Sequence, residues 1–314
     1  MDHTGGAPFV ACAIYQGSPA MFPFRHLTAT GLLLAGLIAA PMIVRAETYN
    51  TCAGFIDTLP AVISTQGTWC LRHDLSTGIT SGNVITINTN NVTIDCNDFK
   101  LGGLAAGAGT STNGITAENH LNATVRHCNI RGFFRGGYFS GSSGGGHVVE
   151  DNRFDGNTRI GLRVDGDGSV VRHNQVTDTG GSTALVGNVF GIHTTYAVDV
   201  LDNTVSGVLP IANGSGDGTA YGIRTVSNSG GSISGNRVRG LVKLGDGVAL
   251  GIFNETSDRI SLDGNRVVGD TSAGSIGLRC ENNNGRAKDN TVNGFATGIV
   301  NCSYGGSDGN VVVP

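Results

Sequence analysis

Residues 200–205 read Val-Leu-Asp-Asn-Thr-Val, and this six-residue pattern decides the fold because it keeps returning. It appears as VRHCNI (125–130), VEDNRF (149–154), VRHNQV (171–176), ISGNRV (233–238), LDGNRV (262–267), AKDNTV (287–292) and SDGNVV (307–312), with IDCNDF (94–99) as an earlier copy. Asn holds the fourth place in all but one copy, where Cys128 replaces it. Between these copies runs a second element, Gly followed by an apolar residue: Gly114-Ile115, Gly137-Tyr138, Gly161-Leu162, Gly191-Ile192, Gly222-Ile223, Gly251-Ile252, Gly277-Leu278 and Gly298-Ile299. Three apolar columns per repeat, two of them flanking Asn, fit short parallel strands wound into a solenoid. No single coil can bury its apolar face, so stacked neighbours must supply the core. With coils ~4.8 Å apart, like residues stack and buried Asn side chains can form amide ladders.

Composition agrees. The chain has 314 residues, and its 51 Gly with 39% hydrophobic residues in regular spacing indicate an ordered, turn-rich all-β protein. The solenoid is expected to hold about nine coils over residues 81–314, with residues 47–80 as an N-terminal cap. A formal net charge of −4 gives no basic excess, so a nucleic-acid partner is not expected. A Leu-x-x-Leu-x-Leu pattern is absent, and a single Trp argues against propeller blades. Right-handed coiling follows from the general preference of parallel crossovers.

The repeat resembles the pectin-lyase-like superfamily of right-handed parallel β-helix proteins, over roughly residues 80–314. That resemblance implies a fold and not one activity, because the superfamily holds lyases, hydrolases, epimerases and proteins without known catalysis. The motifs of its better-defined branches are missing. There is no paired-Asp run with a Gly-His-Gly partner as in polygalacturonases, and no Asp-Pro-His run as in alginate epimerases. No cluster of calcium-binding acids accompanies an Arg as in pectate lyases. Calcium would suit a polyuronate substrate, but no motif indicates it or any other cofactor or metal.

The N-terminus reads as an export signal. Arg25 and His26 precede an apolar stretch from about Ala29 to Ala40, Pro41 breaks it, and Ala46 offers a small residue at the cut. Residues 21–46 are therefore expected to be a signal peptide, residues 1–20 a mis-called extension, and the mature protein secreted or periplasmic. The stretch is short for a spanning helix; an uncleaved anchor is the alternative. Removing Cys12 with the leader leaves six cysteines, an even number that suits disulfides in an exported protein. The repeat favours Cys52–Cys70, Cys96–Cys128 and Cys280–Cys302 among fifteen connectivities. The first would staple the cap, worth ~3 kcal/mol for a loop of that length.

Two features invite chemistry. His127, Asp151 and His173 precede the Asn position on successive coils and resemble a metal or acid–base cluster. Asp202, Gly235, Gly264, Asp289 and Gly309 fill the same column, however, and these are residue types that tolerate positive φ at a tight corner. The column before it, Asp95, Arg126, Glu150 and Arg172, alternates in sign like a solvated ion ladder. The second feature is loop length. From Asn to the next Gly the chain is longest around 177–189, 207–219 and 240–249, consecutive insertions on one edge of the array, as expected of the wall of a binding surface.

On the Gly-Ile strands that follow, the residue after Ile should face out. This gives an outward column Thr116, Phe139, Arg163, His193, Arg224, Phe253, Arg279, Val300 and a second with Glu118, Asp165, Thr195, Val226, Glu255 and Glu281. Arg163, His193 and Arg224 on neighbouring coils concentrate positive charge suited to a carboxylate. An acidic polysaccharide is the expected partner. His193, Arg224, Arg163 and Asp165 are the candidates for a lyase-type β-elimination, and Thr195, Tyr196, Phe253, Glu255, Arg279 and Glu281 for substrate contacts. Asp165 and Glu255, three coils apart at roughly 14 Å, are too distant for paired-carboxylate hydrolysis. The alternatives are a glycan-binding solenoid without turnover, a structural or adhesin-like solenoid, and simple surface pairing of Arg163 with Asp165 and Arg279 with Glu281. A monomer is expected, with the C-terminal coil open to a contact.

Overall fold

The computed structural model describes residues 49–210, 216–228, 230–256, 259–281 and 285–314, all within one compact unit, Glu47–Pro314. The proposed extension and signal peptide lie outside the described residues. The chain is a right-handed parallel β-helix of three ten-stranded sheets in which every paired neighbour is parallel and about one coil away in sequence. The strand before each Asn, such as Val198–Leu201, lies in the first sheet; the strand after it, such as Thr204–Leu209, in the second; the Gly-Ile strand, such as Val189–Thr195, in the third. Gly54–Phe55, Ala61–Ile63 and Leu75–Ser76 already pair into the three sheets, so coiling begins inside the segment read as a cap. Among the described residues no helix is long and apolar enough to cross a membrane.

The corner between the first and second sheets is built on a ladder of amides. Asn152, Asn174, Asn203, Asn236, Asn265 and Asn290 are all buried. The Asn203 side-chain Nδ2 donates to Asn236 Oδ1 at 3.0 Å and to the Val171 carbonyl at 2.9 Å, while its backbone N–H donates to Asn236 Oδ1 at 2.9 Å. The same geometry repeats at Asn236, Asn265 and Asn290, ending on Asn310. Every corner thereby satisfies backbone groups that neither sheet can reach. The residue just before each Asn adopts positive φ, 52° at His127, 53° at Asp151, 55° at His173 and 54° at Asp202, which makes the His/Asp column a conformational requirement. The ion ladder beside it forms as well, with Arg126–Asp95 at 2.7 Å and Arg172–Glu150 at 2.6 Å.

The earliest motif copy departs from this pattern. Ile94 pairs with Val125 and Leu101 with Ile130, so this corner carries two extra residues. Asn97 therefore stays off the ladder, and its Nδ2 donates to the Leu71 carbonyl. Cys128, in the ladder's place, bonds to Cys96; Cys52–Cys70 and Cys280–Cys302 complete the three expected disulfides. Three disulfides suit an oxidising, extracellular or periplasmic environment.

The glycine of each Gly-Ile pair answers a different constraint. A Cβ on Gly191 would collide with Val205 Cγ1 and sit 2.6 Å from the Gly222 carbonyl oxygen; one on Gly222 would meet Val238 Cγ1 and the Gly251 carbonyl in the same way. Gly191 and Ile192 thus both face the core, and only a residue without a side chain fits the first of two consecutive inward places.

Two outcomes test this architecture. Asn236→Ala leaves the Asn203 N–H and the Val200 carbonyl without their partners; it should cost about 2–4 kcal/mol in chemical denaturation, against less than about 0.5 kcal/mol for exposed Asn293→Ala. Gly222→Ala should destabilise by about 1–3 kcal/mol through overpacking, with Val238→Ala in the same chain recovering part of the loss.

Candidate functional site

The two inward places at Gly-Ile change which side chains share the outer face of the third sheet. In a regular strand, residues three apart point to opposite faces. Here Phe190 and His193, on either side of Gly191-Ile192, stack with ring centroids 5.0 Å apart. The outer face therefore has a column that the alternation rule hides: Arg135, Ile160, Phe190, Tyr221, Leu250 and Ile276, successive register partners. Beside it runs the column Thr116, Tyr138, Arg163, His193, Arg224, Phe253, Arg279 and Val300.

One residue of the expected column is corrected by this register. Gly137 pairs with Ile115 and Leu162, placing it in the Ile column, so Tyr138 faces out and Phe139 faces in. Phe139 is fully buried, and with Leu162 and Phe154 it fills the space left where Gly137 lacks a side chain. The Gly136-Gly137 pair makes the two registers look alike in sequence.

Aromatic rings and guanidiniums interleave along the face. Phe190 stacks on Tyr221 at 4.9 Å, and Tyr221 on Phe253 at 6.1 Å. Arg224 lies 5.6 Å from both the Phe190 and Tyr221 centroids, and Arg279 lies 5.0 Å over Phe253. Toward the N-terminus, Arg135 sits over Tyr138 at 4.6 Å and Phe134 at 4.9 Å, Arg159 reaches Phe134 at 5.7 Å, and Arg163 lies 5.6 Å from Tyr138. Phe134, Phe190 and Phe253 are buried, so the rings form a floor that holds the cations up.

The acids divide these cations into two groups. Arg163 pairs with Asp165 at 2.9 Å, and Arg224 Nε donates to Glu255 at 2.7 Å. Among the described residues Arg135, Arg159 and Arg279 have no ion pair. Pairing on the surface thus accounts for Arg163 with Asp165 but not for Arg279 with Glu281, whose Oε2 instead accepts the Thr256 N–H at 3.0 Å. Asp165, Thr195, Val226 and Glu255 are successive register partners, which places the two carboxylates three coils apart. Tyr196 follows its strand at a corner with φ of 71°, exposed and past the stacked rings.

His193 is 8% exposed and lies between Arg163 and Arg224 on neighbouring coils. Burial first, then the charges of Arg163, Arg224 and Arg135, push its pKa down to about 3. The imidazole is neutral above that pH and a weak base; its Nε2 lies 3.5 Å from Arg224 Nη1. Burial also lowers Arg135 and Arg159, with neighbouring arginines contributing, while it raises Tyr221. The centre of the face thus holds a weak base between two guanidiniums, and the carboxylates beside it, Asp165 and Glu255, are each paired with an arginine.

The three long insertions connect the second sheet to the third and enter directly at Val189, Ala220 and Ala249. They bond to one another: Thr219 N–H donates to Asn188 Oδ1, Asp246 N–H to Asp217 Oδ1, and Gly218 and Leu244 exchange backbone bonds. The first also reaches the site, since Arg159 Nη1 donates to the Leu185 carbonyl at 3.3 Å. Part of the second insertion, 211–215, lies outside the described residues. Arg135, Arg159, Tyr138, Phe134, Phe190 and Tyr221 were not legible as site residues by strand alternation. An available signal was the aromatic placed directly before two Gly-Ile pairs, in Phe190-Gly191-Ile192-His193 and Tyr221-Gly222-Ile223-Arg224.

No protein-family model matches the chain, and no curated protein matches it. Solved structures similar to it include the A-module of the Azotobacter vinelandii mannuronan C-5 epimerase AlgE6, 17% identical over 81% of this chain and 83% of that one, with a TM-score of 0.39. The Dettilon tailspike protein is 14% identical over 82% of this chain and 60% of its own, at 0.41. DFA-IIIase from Arthrobacter chlorophenolicus A6 is 11% identical over 77% of this chain and 57% of its own, at 0.39. At these identities and TM-scores the matches say nothing of family or activity, and the parallel β-helix fold of this chain rests on its own strand pairing.

The buried histidines predict an acid sensitivity. His147, pushed down to about 4 by burial, and His193 both titrate below their ordinary value of 6.5. The unfolded chain therefore takes up protons that the folded chain refuses, and stability present above pH 6.5 is lost as pH falls toward 3–4. His193→Gln should flatten that slope in denaturation series between pH 7 and 4; an unchanged slope would remove the assignment.

Proposed function

We propose that this face of the third sheet binds an acidic polysaccharide whose chain lies along the solenoid axis. The observation that carries the reading is the guanidinium row raised on stacked rings, with Arg135, Arg159 and Arg279 free of acidic partners among the described residues. Desolvated guanidiniums bind carboxylates strongly and with fixed geometry. Tyr138 and Tyr221, half-exposed between them, offer the apolar faces on which sugar rings stack. Arg163 and Arg224, already paired, would share their second N–H edge with substrate, and Thr195, Glu255 and Glu281 would meet its hydroxyls.

The protein is proposed to be exported and to meet its glycan outside the cytoplasm. Elimination is the second reading: a base removes the proton α to the uronate carboxylate, a C=C bond forms, and the glycosidic C–O bond at the next carbon breaks as its leaving oxygen takes a proton from water. Arg163 and Arg224 would neutralise the carboxylate and Asp165 would orient Arg163. The remaining candidate base, His193, is held near pKa 3, so binding without turnover is the better-supported reading.

Titration of the mature protein with polyuronates and with neutral polysaccharides should give saturable binding only for the former, weakening as salt rises. Arg279→Gln or Arg135→Gln should each cost about tenfold in affinity, as loss of a charge-assisted hydrogen bond does. Equal binding to neutral chains would overturn the proposal. Ultraviolet absorbance of the same mixtures, with and without calcium, decides elimination: an unsaturated product that disappears in His193→Gln would establish it.

A further inference from the structure

A second cationic surface lies on a different sheet and is independent of the polyuronate reading. Along the outer face of the second sheet the columns run Arg153, Gln175, Thr204, Arg237, Arg266, Thr291 and Arg131, Asp155, Thr177, Ser206, Arg239, Val268. In the N-terminal half one acid serves two cations: Asp155 lies 3.9 Å from Arg131 and 3.6 Å from Arg153. In the C-terminal half Thr204 and Ser206 occupy the neighbouring places where an acid could stand. Arg237, Arg239 and Arg266 have no ion pair among the described residues.

These three side chains and Thr204 line a shallow cavity of about 440 Å³. Arg237 and Arg266 are register partners on adjacent strands, and Arg239 is two residues along the same face, so the cations are grouped within ~5–8 Å at the backbone. Like charges placed this close repel, and the repulsion is relieved by an anion that contacts all three. A carboxylate offers two oxygens and one charge. A phosphomonoester offers three terminal oxygens and close to two charges at pH 7, the better match to three forked donors and a hydroxyl.

We propose that Arg237, Arg239, Arg266 and Thr204 form a binding site for a phosphomonoester dianion, as carried by a phosphorylated sugar. The arginines bind the terminal oxygens, and the Thr204 hydroxyl donates to one of them. Because arginine does not titrate in this range, pH dependence comes from the ligand: affinity should fall as pH drops below about 6, where the second phosphate proton is taken up.

The test is a titration of the whole mature protein with glucose 6-phosphate, followed by the arginine Nε–H resonances, with inorganic sulfate and glucuronate as comparisons. Saturable shifts are expected at Arg237, Arg239 and Arg266, with affinity at least fivefold above sulfate at pH 7.5 and lost toward pH 5. An Arg237→Gln/Arg266→Gln double variant should weaken binding at least tenfold. Two controls should leave it unchanged: Arg131→Gln/Arg153→Gln on the same sheet, and Arg135→Gln/Arg279→Gln on the polyuronate face. The latter pair also separates the two proposals, since it should abolish polyuronate binding alone. Absent saturation, equal affinity for sulfate, or an unaffected Arg237→Gln/Arg266→Gln double variant would overturn the site.

Discussion

The buried amide ladder is the interaction on which everything else in this molecule depends. A three-sheet coil must turn sharply between its first and second sheets, and the turn strands backbone groups inside the wall. Each Asn Oδ1 accepts from the backbone N–H and side-chain amide of the Asn one coil earlier, while its own Nδ2 donates to the next Asn and to a carbonyl one coil back, as at Asn236 and Asn265. Such bonds connect coils rather than residues within a coil, so they set the stacking register along with the geometry of the corner. A slip by one residue would orphan several buried groups at once.

Register, once set there, dictates the third sheet. Valines two places after each Asn, such as Val205 and Val238, press against the backbone of Gly191 and Gly222. The glycines in turn make two consecutive residues face inward, which brings a residue before each Gly onto the same outer face as the residue after each Ile. Phe190 meets His193 and Tyr221 meets Arg224 for this reason. The candidate site is thus a consequence of core packing, since a side chain at the Gly column would restore alternation and turn half of the site residues away.

That coupling explains what was and was not legible in the sequence. The amide column, the coil repeat, the cysteine pairs and the positive-φ corners all follow from residue type at a fixed place, and the structure contains each of them. Arg163, His193 and Arg224 could be set on one face because they follow the Gly-Ile pair directly. Phe190, Tyr221 and Arg135 escaped because strict alternation is the wrong rule across a Gly that packs against a core valine. Tyr138 and Phe139 were exchanged because Gly136 and Gly137 offer two equivalent starting points, and the strand register, with Phe139 buried, distinguishes them.

The same view separates a self-neutralising ladder from a row of cations carried on rings. A ladder built for stability alone neutralises its charges coil by coil, as Asp95, Arg126, Glu150 and Arg172 do on the first sheet. On the third sheet that rule is kept at Arg163 and Arg224 and, among the described residues, abandoned at Arg135, Arg159 and Arg279, although Glu281 stands close enough in sequence to serve Arg279. Glu281 is spent on a backbone N–H, and Arg279 is stacked on Phe253. Stacking on a ring stabilises a guanidinium without occupying its N–H edges, whereas a carboxylate occupies them. Substituting rings for acids therefore supports the charge while leaving most of each N–H edge without a carboxylate: Arg135 and Arg159 each spend one Nη1 on a neutral acceptor, Asn113 Oδ1 and the Leu185 carbonyl, a distribution that a self-neutralising ladder does not need.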